Sequence, residues 1–168
     1  FRSVGILSML ISVVFGTAVG VISGYIGGKL DQFLMRLVDM LMSIPSFLVL
    51  IVLNTYLTPK VSTIILIIGF LSWMEVSRIV RGETLKIKEN EYCLAAKATG
   101  IKTRNILLRH IVLNLKETIV VAGSLNIANA ILTESALSFL GLGIQLPLAS
   151  WGNMLQDAQR HIFDKRSE

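Results

Sequence analysis

The chain predicts an all-α polytopic membrane protein, and three observations carry that class. Hydrophobic residues make up 53% of its 168 residues and charged residues 16%, whereas a soluble domain carries about 25% charged residues. The apolar residues form long runs instead of recurring at amphipathic spacing. The basic residues gather mostly in one block between those runs, as they do in cytoplasmic loops of membrane proteins. Length therefore counts spans and not cores, and about four to five membrane helices fit. The net charge of +5 and pI near 9.6 would suit nucleic acid. However, the basic block lies between apolar runs without aromatic interleaving, which argues against a nucleic-acid partner.

Val4 to Gly28 carries no charge and exceeds the roughly 20 apolar residues that cross a bilayer as helix. It is read as the first span. Gly16, Ala18, Gly20 and Gly24 are its small residues, and Gly16 and Gly20 stand at the small-xxx-small spacing that admits a second helix. Glycine is also simply common in membrane helices. Lys29, Asp31, Arg36 and Asp39, with apolar residues between them, suggest an interfacial helix turning back into the membrane. Met40 to Leu57 is read as the second span, kinked at Pro45. Asn54 to Ser62 reads as a turn on the far side.

Val61 to Val80 is the third span, with Trp73 near its interfacial end and Glu75 expected to pair with Arg78 or Arg81 or to mark a solvent-filled path. From Arg78 to Lys116 there are nine Lys or Arg, which places this loop in the cytoplasm and, by threading outward, Lys29 inside and Lys60 outside. Ile111 to Thr133 is the fourth span. Ser124, Asn126 and Asn129 lie within it, and such polarity faces protein or water. Asn126 and Asn129, three apart, are expected on one face, as pathway-lining candidates with Ser124 or as interhelical hydrogen-bonding groups. Residues 135–168 read as an external region, broken at Gly141, Gly143 and Pro147.

Catalytic arrangements are not found in the sequence. His110 and His161 are isolated, Cys93 is the single cysteine, and no GxxxxGK[ST] occurs. The reading is not an enzyme, with no cofactor or metal of its own. In the cytoplasmic block, Leu85 to Ala98 reads as helix, Gly100 as its break and Thr103 as the cap of the next helix. Ala95, Ala96 and Ala98 form a small-residue surface ringed by Lys97, Lys102 and Arg104. Such a surface suits insertion into a groove of another protein; alanines also merely favour helix.

LAAKATG, followed after ten residues by Ile111, resembles the EAA loop of the membrane subunits of bacterial ATP-binding cassette importers. More narrowly, RLVDMLMSIPSFLV, RIVRGETLKIKENEYCLAAKATG, RHIVLN and ALSFLGLGIQLPLASWGNML resemble, in that order, the dipeptide, oligopeptide and nickel permease branch. The resemblance runs from Arg2 to Ile162. It implies a type I importer permease fold (MetI-like) in a multi-pass subunit of the bacterial cell membrane. Residues 81–110 would form the cytoplasmic EAA loop, with a coupling helix in a cleft of an ATPase subunit and Glu91, Ala95, Ala96, Gly100 and Lys102 in that role.

The same resemblance implies a second permease subunit, two ATPase subunits that hold ATP and Mg, an extracytoplasmic substrate-binding protein, and surrounding membrane lipids. The chain begins at Phe1, and the resemblance implies one further span before it and one after Glu168. Cargo is read as peptide, with nickel or a metal chelate as the alternative and a passive channel as the rival of another class. Leu94 stands where the family's triplet has its acid, and Leu113 where it has a proline.

Overall fold

A computed structural model describes residues 2–57, 61–141, 151–152, 154–155 and 158–159. Its elements are helices: α1 Arg2–Ile26, α2 Gly28–Met42, α3 Ser46–Tyr56, α4 Val61–Ile87, α5 Glu91–Ala98, α6 Thr103–Asn105, a π-helical segment Ile106–Val112, and α7 Lys116–Phe139. Three of them, over Val4–Ile26, Ser62–Ile87 and Lys116–Phe139, are long and apolar enough to cross a membrane. A bent pair made of α2 and α3 gives a fourth crossing if counted as one span.

The centre of the bundle is the α1–α4 pair. On α1, Ser8, Ser12, Gly16, Gly20 and Gly24 recur every fourth residue and are all buried. The Ser8 hydroxyl donates to the Ile65 carbonyl at 3.2 Å. A Cβ on Gly16 would stand 2.6 Å from Val76 Cβ, one on Gly20 2.6 Å from the Ser77 carbonyl oxygen, and one on Gly24 2.9 Å from Thr84 Cβ. The contacts advance together along both helices, so α1 and α4 run parallel. From the other side, Gly69 of α4 receives Ile11 at the same close range, 3.0 Å.

A parallel pair requires the chain to recross between its members, and α2–α3 supplies that return. Gly27 and Gly28, with φ of 67° and 62°, reverse the backbone after α1, a conformation glycine adopts at little cost. Asp31 then meets Arg81, Asp39 meets Arg78, and Leu53 lies beside Phe70, so α2–α3 ascends against α4. α7 is antiparallel to α1: Gly5 faces Ile127 and Ile131, Ser12 faces Asn126, and Gly123 faces Met9 and Val13.

Several sequence expectations shift here. The second span, Met40 to Leu57, is not one kinked helix: α2 ends at Met42, α3 begins at Ser46, and the two meet at 67°. Pro45 has no N–H to give, and it bars the residue before it from helical backbone. The far turn loses its first residues, because α3 runs on to Tyr56. Residues 58–60, with Lys60, lie outside the described residues, as do Gly143, Pro147 and His161. The fourth span, expected over Ile111 to Thr133, is displaced to Lys116–Phe139, so helix continues through the first residues of the stretch read as the external region. Just before it, the Asn114 side-chain amide donates to the His110 carbonyl at 2.5 Å, and the Asn114 backbone N–H goes to Ile111. That exchange stops the π-helical segment without a proline at position 113.

Glu75 pairs with neither expected arginine. Arg81 Nε lies 2.5 Å from Asp31, which Ser23 also holds, and Arg78 lies 2.9 Å from Asp39. Asp31 is buried and sits within reach of the cation that α4 offers on its facing side, whereas Glu75 lies on another face.

The close α1–α4 approach gives the first prediction. Gly20→Val should destabilise the subunit by about 1–3 kcal/mol through overpacking, read as a lower midpoint of thermal unfolding in detergent. A Cβ on Gly82 meets nothing within 4 Å, so Gly82→Ala should leave the midpoint unchanged or raise it by the ~1 kcal/mol of helix propensity.

Candidate functional site

α4 continues past the apolar zone to Ile87, and a turn through Lys88–Asn90 delivers the chain into α5. The uninterrupted helix expected over Leu85 to Ala98 is therefore broken at this turn. Asn90 adopts extended backbone, φ −68° and ψ 144°, and its carbonyl accepts from the Cys93 and Leu94 N–H groups. Lys88 Nζ donates to the Gly24 carbonyl at 2.8 Å, tying the turn to the end of α1.

The C-terminus of α5 is closed by two crossed backbone bonds. Ile101 N–H reaches the Ala96 carbonyl and Gly100 N–H the Lys97 carbonyl, each at 3.2 Å, with Gly100 at φ 76°. This is the Schellman arrangement, and glycine is the residue that enters the left-handed region at least cost. Thr99 Oγ1 adds bonds to the carbonyls of Ala95 and Ala96. Glu91 in the first turn and Lys97 in the last oppose the helix dipole favourably. Thr103 does not cap the following helix. Lys102 holds the cap position with extended backbone, and Thr103 is the first helical residue.

α5 has two faces. Cys93 and Ala96 turn inward onto a cluster of Val80, Ile87, Ile106, Ile111 and Leu115. Burial pushes the Cys93 thiol above its ordinary pKa. Tyr92 stacks with His110 of the π-helical segment at 6.4 Å between ring centroids. On the outside, Leu94 is 53% exposed beside Ala95 and Ala98, and Ile101 and Leu108 are exposed on the segment that follows. Glu91, Lys97, Lys102 and Arg104 are exposed around them.

The three alanines therefore do not make one surface. Ala95 and Ala98 face out, while Ala96, 6% exposed, belongs to the internal cluster. Helical geometry divides them, because consecutive residues stand about 100° apart. The apolar outer residues Leu94, Ile101 and Leu108 were not singled out from the sequence. Their signal was apolar residues at seven-residue spacing through a basic loop.

The polar residues of α7 also separate. Asn126 is buried and accepts a 3.0 Å hydrogen bond from Ser12 Oγ, which is the interhelical role. Asn129 and Ser124 are exposed, and Ser124 Oγ bonds back to the Val120 carbonyl. Asn126 and Asn129 stand only about 60° apart around the helix, yet Asn126 lies under α1 at Ser12 while Asn129 falls beyond its edge and is exposed.

Glu134, which the sequence reading left at the edge of the external region, lies inside α7 at 1% exposure. One carboxylate oxygen accepts from Ser138 Oγ at 2.6 Å, and the other has no hydrogen-bond partner among the described residues. Its signal was a lone acid four residues before a serine, with apolar flanks.

Comparison with known proteins agrees with this architecture. The family described as binding-protein-dependent transport system inner membrane component matches residues 16–163. The oligopeptide transport system permease protein OppC of Haemophilus influenzae is 44% identical over 154 residues, covering 92% of this chain and 50% of that protein. The dipeptide transport system permease protein DppC of Bacillus subtilis is 42% identical over 154 residues, 92% of this chain and 48% of its own length. OppC of Escherichia coli strain K12 is 46% identical over 131 residues, 78% of this chain and 43% of its own length. The chain thus spans about half the length of the curated relatives it matches. With parallel and antiparallel membrane helices in place and the match running along most of its length, the chain belongs to the family of binding-protein-dependent transport system inner membrane components.

Proposed function

We propose that this chain is the core of a permease subunit in an ATP-driven importer of oligopeptides or dipeptides, and that α5 with the segment after it is where ATPase subunits drive it. One observation carries the coupling role. α5 presents Leu94, Ala95 and Ala98 outward while Cys93 and Ala96 fasten it to the cluster containing Val80 and Ile87 of α4. A force on the outer face therefore passes through this cluster and the π-helical segment packed on α5 toward the membrane helices. A passive channel has no need of an apolar surface fixed in this way on its cytoplasmic side.

In this reading the second permease completes the pathway and the substrate-binding protein delivers cargo from outside. ATP and Mg reside on the two ATPase subunits. Closure of those subunits displaces α5, and α4 carries the displacement into the bundle. The permease contributes two conformations whose populations nucleotide and loaded binding protein shift. The names of the similar proteins, which speak of oligopeptides and dipeptides, support peptide over nickel as cargo. Ser124 and Asn129, exposed and polar on α7, are the pathway-lining candidates, and Asn126 is assigned to helix packing.

Placing Asp at both Ala95 and Ala98 should weaken co-purification of the ATPase subunits about 100-fold, since an unpaired charge in an interface costs several kcal/mol, with membrane insertion intact. Unchanged association would refute the docking role. With Leu94→Cys, a maleimide should label position 94 rapidly in the isolated subunit and slowly after the ATPase subunits bind. Cys93 itself should react slowly in both, being buried with a raised thiol pKa. For cargo, the assembled transporter should accumulate labelled tripeptide and leave nickel outside; accumulation of nickel alone would reverse the assignment.

A further inference from the structure

The break between α2 and α3 opens a cavity of about 430 Å³ against α4. Its walls include Met42, Pro45, Val49, Leu71 and Trp73, and among the residues that line it Glu75 is the one acid. Glu75 is exposed and lies within the membrane-crossing stretch Ser62–Ile87.

Three features make this carboxylate available to a ligand. The two arginines within reach along α4 are committed elsewhere, Arg78 to Asp39 at 2.9 Å and Arg81 to Asp31 at 2.5 Å. Among the described residues no backbone N–H bonds the carbonyls of Ser43 or Ile44, which stand at the break. Lipid would leave both the carboxylate and these carbonyls unsatisfied, so this face meets water or protein. Irregular backbone at membrane depth is tolerated where it lines a cavity, and unwound carbonyls there take up cations. The volume is in the range of small-ligand sites, which are apolar with a few polar groups that fix orientation.

We propose that this cavity is a binding station for the cationic amino terminus of a peptide in transit, with Glu75 taking the ammonium group and the apolar wall taking the adjoining side chain. The proposal rests on the peptide-importer reading above and adds the site and the part of the substrate it recognises. One negative charge at the edge of an apolar cavity suits a ligand that carries one positive charge beside apolar surface, and a peptide amino terminus followed by leucine has that form. Metal ions are served less well, because among the described residues no group of three His, Cys, Asp or Glu side chains could hold one.

The test uses the full-length subunit assembled with its second permease, ATPase subunits and binding protein in proteoliposomes, with labelled trileucine as the probe. Glu75→Gln should lower uptake about tenfold or more, as loss of a charge-assisted hydrogen bond does. Stimulation of ATP hydrolysis by loaded binding protein should persist, so that less peptide enters per ATP. Glu75→Asp should recover part of the uptake, and Val49→Trp, which fills the cavity and keeps the charge, should reproduce the loss. Wild-type uptake by both Glu75→Gln and Val49→Trp would overturn the proposal. So would failure of Glu75→Gln to co-purify with the second permease, which would assign the carboxylate to an ion pair between subunits. Absence of trileucine uptake by the unaltered transporter would instead refute the peptide-importer reading on which the proposal stands.

Discussion

Close backbone approach between α1 and α4 is the constraint on which the other placements depend. In lipid, no hydrophobic gain separates helix–helix from helix–lipid contact, so association relies on packing and on interhelical hydrogen bonds. Gly16, Gly20 and Gly24 remove side chains where Val76, Val80 and Thr84 arrive, and Ser8 adds a bond to the Ile65 carbonyl. Because these two helices run parallel, everything between them must return across the same thickness. The glycine turn at Gly27–Gly28 and the bent α2–α3 pair follow from that requirement.

The end of the bundle that carries α5 extends the same pair outward. α4 carries the chain to Ile87, Lys88 ties back to Gly24, and α5 rests on a cluster that includes Val21, Val80 and Ile87. Asp31, held by Arg81 and Ser23, fixes α2 to the same end of the bundle. A buried carboxylate of this kind adds little net stability when paired, yet losing its partner is costly, so its effect is to fix one arrangement of α2 against α4. The apolar cavity at the α2–α3 break and the outer face of α5 therefore lie at two stations along one helix, α4.

Much of this was legible in the sequence. Uncharged runs gave the class and most of the spans, because transfer cost depends on composition alone. The glycine spacing of α1 announced a helix contact without naming α4, since spacing defines a face but no partner. Gly100 was readable as a break because left-handed backbone favours glycine. What the sequence hid were contacts between distant residues: that Arg81 meets Asp31 instead of Glu75, that Ala96 turns inward while Ala95 turns out, and that Glu134 sits inside α7. The start of α7 was misplaced because Ile106–Val112 is apolar enough to extend a span, and the Asn114 side chain ends that segment by a local bond that periodicity does not register.

The parallel α1–α4 contact also has a consequence for biogenesis. Ser8 reaches Ile65, 57 residues further along the chain, so while the polypeptide is being made α1 enters the bilayer before its partner exists. Until α4 follows, the hydroxyls of Ser8 and Ser12 are satisfied within their own helix, as Ser12 is by Met9 in the finished structure, and the glycine face is lined by lipid tails. The bundle is thus assembled by docking helices already in the membrane, α4 onto α1 first and then α7, which is synthesised last of the three and packs on both.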